Sequence, residues 1–220
     1  MPPVRDESRR RAHRAHAPEP CVMRTLLLLL PLLPCLPAFA GETVLENDYV
    51  RVTRDAAPCA AGGGAGCGAR VIVALDGLVL ACGPARRELA RGDTAVLAPD
   101  EACDAPEGAY FEVAIKPGHP AATAPPVHIP PEKNAIRHEE ADFFVFEEKL
   151  APGDTRARHS HSQRVVIQLN RARLKQWPDG APEKIVETVP DRAAFSPPVV
   201  HVVENIGDVP LRGVIIEFKP

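Results

Sequence analysis

The sequence predicts an all-β protein made of two similar halves. Of its 220 residues, 25 are prolines and only 5% are aromatic, a composition that favours short strands and turns over long helices. Short apolar runs rich in Val and Ile recur along the chain. Two of them repeat: RVIVALDGLVL at 70–80 resembles RVVIQLNRARL at 164–174, and YFEVAIKP at 110–117 resembles GVIIEFKP at 213–220. The repeats lie 94 and 103 residues apart, which indicates a tandem duplication.

The first forty residues have the features of a secretory signal peptide. The apolar run at 26–40 follows Arg24, contains three prolines and ends in small residues at Ala38 and Ala40. This pattern favours a cleaved signal over a membrane-spanning helix, and we expect cleavage after Ala40. Met23 is a second candidate start, so residues 1–22 are either an untranslated extension or a long basic leader. The sequence therefore predicts a periplasmic or secreted protein without a membrane span.

We divide the rest of the chain into a first half at 41–120, a proline-rich linker at 121–140 and a second half at 141–220. Each half is small for an independent core, so we expect the two to pack against each other. Residues 41–220 hold 20 basic and 26 acidic residues, a net charge of −6. An acidic chain without a basic stripe argues against nucleic acid as a partner. A small molecule is the expected ligand, and formation of a homodimer is left open.

The most informative segment is GDTRARHSH at 153–161. Its glycine is followed after five residues by His159 and His161, and their i, i+2 spacing places both imidazoles on one face of a strand. His201 lies in HVVEN, with Asn205 four residues later. Imidazole is the commonest metal ligand in proteins. The alternative is that His159 and His161 are exposed at a strand start and that His201 is an ordinary core residue.

These segments resemble the two motifs of the cupin superfamily. The first motif is glycine, five residues, His-x-His and a later glutamate, and the second ends in histidine, three residues and asparagine. The resemblance implies two tandem cupin-type jelly-roll β-barrels, a bicupin whose first barrel is degenerate because only the second half carries the histidines. It also implies that His159, His161 and His201 bind one divalent metal ion, with Zn, Fe, Mn and Ni not distinguished.

The chain departs from the family pattern at the glutamate. That residue is expected four or five positions after His161, where Val165 and Val166 stand. Gln163 is the nearby substitute and a fourth candidate ligand. Three imidazoles and water are a known metal environment, so a site is still expected. Three functions stay open: a metal-dependent oxygenase, isomerase or lyase, a non-catalytic ligand-binding protein, or a structural bicupin without functional metal.

Side chains near the motif strands are weaker candidates for contacting a substrate. Arg164 and Arg173 have the chemistry to hold an anionic carboxylate, and Trp177 stands before a Pro-Asp-Gly turn where it would edge a pocket. An exposed charged face is the alternative for the arginines. Glu147 and Glu148 are candidates for a catalytic base or simply strand residues in contact with solvent.

The cysteines that follow the signal are Cys59, Cys67, Cys82 and Cys103. Export would place them in an oxidising compartment, and four cysteines allow three sets of pairings. Alignment of the first half with the cupin-like second half places Cys67 at the position of His161 and Cys103 at that of His201. Because the family's ligands converge on one ion, the resemblance implies a Cys67–Cys103 disulfide.

Overall fold

Sixteen β-strands and no helix make up the residues that the computed structural model describes, which are 41–56, 68–99, 101–104, 106–118 and 133–219. Seven strands belong to the first half: β1 (Glu42–Glu46), β2 (Val50–Arg54), β3 (Arg70–Ala74), β4 (Leu78–Cys82), β5 (Ala85–Leu89), β6 (Thr94–Leu97) and β7 (Tyr110–Ile115). Nine strands follow: β8 (Asn134–Glu139), β9 (Phe143–Leu150), β10 (Thr155–His161), β11 (Arg164–Gln168), β12 (Arg173–Pro178), β13 (Lys184–Glu187), β14 (Arg192–Ser196), β15 (Val199–Asn205) and β16 (Leu211–Phe218). The all-β prediction is confirmed.

The predicted signal peptide, residues 1–40, lies outside the described residues. Among the residues that are described, no helical segment has the length and apolar character that a membrane crossing requires.

The two halves use the same strand order. One five-stranded antiparallel sheet runs β1-β2-β7-β3-β6, and its counterpart runs β8-β9-β16-β11-β14. The other sheets are β4-β5 in the first half and β10-β15-β12-β13 in the second. Arg70 of β3 pairs with Ala114 of β7, just as Arg164 of β11 pairs with Glu217 of β16. These registers reproduce both sequence repeats and fit the predicted tandem arrangement.

The largest hydrophobic core lies between the halves. Both five-stranded sheets contribute alternate residues to it, including Val71 and Val73 from β3 and Val165 and Ile167 from β11. At its edge, the ring of Tyr49 stacks on that of Phe195 with centroids 6.0 Å apart. The expectation that the halves pack against each other is therefore confirmed.

The opposite faces of the same strands point into the interior of each half. Ile72 of β3 joins a separate apolar cluster inside the first half, while Val166 of β11 lines a cavity inside the second. β3 is thus buried on both faces, and β11 faces the core on one side and the cavity on the other. This is why these strands have continuous apolar runs instead of alternating apolar and polar residues.

Polar contacts also join the halves. Arg91, in the turn after β5, donates hydrogen bonds to the carbonyl oxygens of Leu75 and Leu169 and forms a 2.6 Å ion pair with Asp191. His138 of β8 lies 3.0 Å from Thr94 Oγ1 of β6. Arg91 alone therefore connects three segments of the chain.

The range predicted as a linker, residues 121–140, includes strand β8. Among the described strands it pairs with β9 alone, so it lies at one edge of its sheet. Most of its side chains are polar or partly exposed, as is common for edge strands. The strand therefore has no apolar run by which the sequence would reveal it.

Cys82 and Cys103 form a disulfide in the first half, so the predicted Cys67–Cys103 bridge is wrong. Cys82 ends β4, and the segment with Cys103 runs alongside it, where the amide of Asp104 donates to the carbonyl oxygen of Ala81 over 2.9 Å. The bridge therefore joins the end of β4 to an irregular segment that lies directly beside it. Cys67 lies outside the described residues.

Candidate metal centre

Three buried histidines converge inside the second half. His159 and His161 lie on β10, and His201 lies on the neighbouring strand β15, where it pairs directly with His159. One ring nitrogen from each lies within 4.8 Å of the others. The three residues are 2%, 4% and 6% exposed, respectively, which excludes the alternative of surface histidines at a strand start.

Hydrogen bonds orient the rings of His159 and His161. Nδ1 of His159 lies 2.8 Å from the carbonyl oxygen of Ala157. A carbonyl only accepts, so Nδ1 carries the proton and Nε2 keeps its lone pair. Nδ1 of His161 lies 2.7 Å from Oε2 of Glu217, the type of outer carboxylate that commonly supports a metal-binding histidine. Both rings are therefore held with Nε2 available as a ligand.

His201 contacts the cluster through one nitrogen. Its Nε2 lies 3.0 Å from Nε2 of His159, while its Nδ1 is buried and has no hydrogen-bond partner among the described residues. Buried polar atoms are normally hydrogen-bonded, so His201 is not an ordinary satisfied core residue. Two nitrogens bound to one ion at ~2.1 Å each lie roughly 3 Å apart. The arrangement therefore fits a shared metal ion.

Burial favours the neutral forms of two of these rings. Desolvation lowers the pKa of His159 to about 4 and that of His201 to about 3. Neutral imidazole is the form that binds metals. Both side chains are therefore in their metal-binding form at neutral pH.

A cavity of about 330 Å³ opens beside the histidines. Its polar lining includes His161, His201, Arg164, Gln168, Glu148 and Lys184, and its apolar lining includes Val166, Leu174, Val186, Val199, Val203 and Ile215. The volume is at the lower end of the range found for ligand pockets, roughly 300 to 1,000 Å³. The cavity is therefore large enough for a small molecule.

Of the three candidates for contacting a substrate, Arg164, Arg173 and Trp177, the structure brings one to this cavity. Arg164 lines it, whereas Arg173 lines a different cavity. Trp177 is not among the lining residues, and its indole donates to Glu183 over 3.0 Å. Gln163 lies between β10 and β11 with its amide oxygen buried and unpartnered among the described residues, and it does not line the cavity. Its role as a fourth ligand stays a prediction.

Glu217 is a site residue that the sequence analysis missed. Its two oxygens are both used, since Oε2 contacts His161 and Oε1 accepts the amide of Ser162 over 2.7 Å. The available signal was an acid inside the apolar strand GVIIEF. A buried acid in such a strand needs partners, and here the partner is a proposed metal ligand.

Glu148 and Glu147 separate to opposite faces of β9. Glu148 lines the cavity and forms an ion pair with Arg156, which is itself 2% exposed. Burial raises the pKa of Glu148, but the charge and hydrogen bond of Arg156, together with His161 and Arg164 nearby, more than offset this, so the pKa lies below its usual value. Glu147 instead forms ion pairs with Arg137, Lys149 and Arg212. Only Glu148 therefore has access to a ligand.

Comparison with known proteins identifies the fold. No family model and no curated protein matches the chain. Among solved structures, a cupin 2 conserved barrel domain protein from Leptotrichia buccalis matches with 12% identity and a TM-score of 0.50, over 81% of this chain and 88% of its own. A cupin domain from Bordetella pertussis Tohama I matches with 22% identity and a TM-score of 0.36, over 47% of this chain and 100% of its own. The match to the Leptotrichia buccalis protein shows that the chain has a cupin fold.

Proposed function

We propose that this chain is an exported bicupin whose second half holds one divalent metal ion through His159, His161 and His201 and binds a small molecule in the adjacent cavity. The observation that carries the proposal is the convergence of three buried imidazoles whose nitrogens lie within 4.8 Å of one another. Two of these histidines also line the cavity, so a molecule bound there would lie next to the metal site.

A divalent ion bound here would supply a Lewis acid. The chain's own residues would orient the ligands and the small molecule. Glu217 and the carbonyl of Ala157 hold the Nδ1 protons of His161 and His159, so both Nε2 atoms stay available. Glu148 is kept ionised by Arg156 and faces the cavity, where it can accept a proton from a bound molecule. Oxygenase, isomerase and lyase chemistry are all compatible with these groups, and the metal is Zn, Fe, Mn or Ni.

Metal analysis of protein purified without a histidine tag tests the proposal. We expect roughly one divalent ion per chain, after reloading by dialysis if needed. The double variant His159→Ala/His161→Ala should lose the ion, whereas His138→Ala should retain it because His138 contacts Thr94 outside the cluster. Thermal unfolding of each variant checks the fold. Unchanged metal content in the double variant contradicts the proposal.

Export is the second part of the proposal. The signal-like pattern that ends at Ala40 supports it, and the Cys82–Cys103 disulfide is compatible with an oxidising compartment. We expect mass spectrometry of the exported protein to find an N-terminus at Gly41. Retention of residues 26–40 in a membrane fraction would contradict this expectation.

A non-catalytic ligand-binding bicupin is the second candidate. Val165 packs into the core between the halves and Val166 lines the cavity, so neither replaces the family's glutamate. A protein that binds metal and ligand without converting the ligand would support this candidate. A protein without metal in every condition would leave the third candidate, a purely structural bicupin.

A further inference from the structure

We infer that the cavity binds a small monocarboxylate whose carboxylate group is held by Arg164. The inference rests on the proposed function, because the cavity is the one beside the proposed metal site. Three features support the inference. They are the hydrogen bonds that Arg164 makes, the balance of charges around the histidines and the apolar side chains that line part of the cavity.

Arg164 is a buried cation with unused donors. It is 8% exposed, and its Nη1 donates to the carbonyl oxygens of Ser162 and Pro197 over 3.1 and 2.9 Å. Among the described residues, its Nη2 and Nε have no acceptor and the guanidinium has no ion-pair partner. Its cross-strand neighbour Glu217 is committed to His161 and Ser162. A guanidinium edge with free N–H groups is suited to bidentate binding of a carboxylate.

The charges around the cavity favour an anion. Neutral imidazoles leave the charge of a divalent ion uncompensated, and Val165 and Val166 stand where the family has a glutamate. Glu148 and Glu217 together balance the charges of Arg156 and Arg164, so the charge of the ion itself and that of Lys184 at the rim remain. Uncompensated buried charge is strongly unfavourable. An incoming carboxylate would supply the negative charge that the protein does not provide.

The rest of the cavity limits the ligand to a small apolar body. Val166, Leu174, Val186 and Ile215 are among its lining residues, and its volume is about 330 Å³. Apart from Gln168, Gln176 and Ser196, which also line the cavity, the uncharged lining offers few hydrogen bonds, so a second charged group or several hydroxyls would lose hydrogen bonds to water there. A short aliphatic or single-ring monocarboxylate therefore fits better than a dicarboxylate or a sugar.

Calorimetric titration with matched carboxylates and amides tests the inference. The probes are acetate, propionate, butyrate, hexanoate and benzoate, each with its primary amide, added to metal-loaded and to metal-free protein. We expect at least one carboxylate to bind about ten- to a hundredfold more tightly than its amide, as for a charge-assisted hydrogen bond. Arg164→Gln should remove most of this preference while keeping its metal, and Arg164→Lys should keep part of it. Arg173→Gln is the matched control, since Arg173 lies outside this cavity.

Three results would overturn the inference. They are no carboxylate binding up to about 10 mM, a concentration above usual KM values, equal affinity for acid and amide, or unchanged carboxylate affinity in Arg164→Gln. The acid and amide comparison uses the unaltered protein, so it decides the matter even if Arg164→Gln does not fold. Metal binding without carboxylate binding refutes this inference alone, and Arg164-dependent carboxylate binding to a protein that takes up no metal refutes the proposed metal site alone.

Discussion

The two halves share their strand order and register but have different interiors. Among the described residues of the first half, Ile72, Leu80, Leu97 and the Cys82–Cys103 bridge occupy the space between the sheets, and the cavity beside them measures about 10 Å³. In the second half the same region holds three histidines and a cavity of about 330 Å³. The valines on the other face of each large sheet form one shared core. The fold can therefore be stabilised between the halves while the interior of one of them stays polar and open.

An arginine at the same repeated position has a different role in each half. Arg70 and Arg164 occupy equivalent positions on β3 and β11, and both are buried. Arg70 donates to the carbonyl oxygen of Glu101 in the closed first half, as Arg164 does to that of Pro197 in the second. Only Arg164 lines a cavity of ligand size. The same side chain is thus structural in one half and accessible to a ligand in the other.

The substitution with the largest expected effect tests whether the core between the halves provides most of the stability of the fold. Ile216 lies in that core, and its neighbour Ile215 lines the cavity. Ile216→Ala should lower the free energy of unfolding by about 2 to 5 kcal/mol because it leaves a void in close packing. Ile215→Ala should lower it less, since that side chain already faces an open space. Urea unfolding measures both, and equal losses would contradict the comparison.

The disulfide of the first half should contribute a similar amount. Cys82 and Cys103 are separated by 21 residues, and closing a loop of that size stabilises the folded state by about 3 kcal/mol in the chain-entropy model. We expect the variant Cys82→Ala/Cys103→Ala to unfold at a correspondingly lower urea concentration. Peptide mapping without reductant checks the pairing itself. Recovery of a Cys67–Cys103 peptide would show that the pairing described here is wrong.

Glu112 should make the stability of the first half depend on pH. It stands where the second half has Ile215, and burial raises its pKa to about 7 from 4.5, although Arg70 opposes the shift. Between these two pH values the folded state binds more protons than the unfolded state. The free energy of unfolding should therefore fall as pH rises from about 4.5 to about 7, by at most about 3 kcal/mol. Glu112→Gln should abolish this fall in urea unfolding at several pH values, and an unchanged slope would refute the assignment.

The smallest expected effect concerns the outer support of the metal site. Glu217 accepts the Nδ1 proton of His161, whereas the first half has Ala114 at the equivalent position. Glu217→Gln should weaken metal binding by about ten- to a hundredfold, as for other outer-shell partners. Competition with a chelator measures the affinity. Glu204→Gln, on the strand of His201, is the matched control, and equal affinities in the two variants would contradict the role of Glu217.

The sequence by itself was enough to predict the fold class and the first two histidines of the candidate metal centre. β-Branched runs and frequent prolines predicted strands, and the two repeats predicted halves whose registers match. The spacing of His159 and His161 also placed both on one strand face, because side-chain direction along a strand is a local property with a period of two. His201 required the resemblance to a known motif, since nothing local connects it to β10.

Only the tertiary structure decided the pairings between distant segments. Cys103 bonds to Cys82 because its segment runs beside β4, a relation that the cysteine spacing does not contain. The structure likewise distinguished Arg164 from Arg173 by the cavities that they line. Strands buried on both faces lose the alternation that would have revealed which residues point inward. Local pattern therefore determined the elements, and the packing of the two sheets in each half determined which side chains meet.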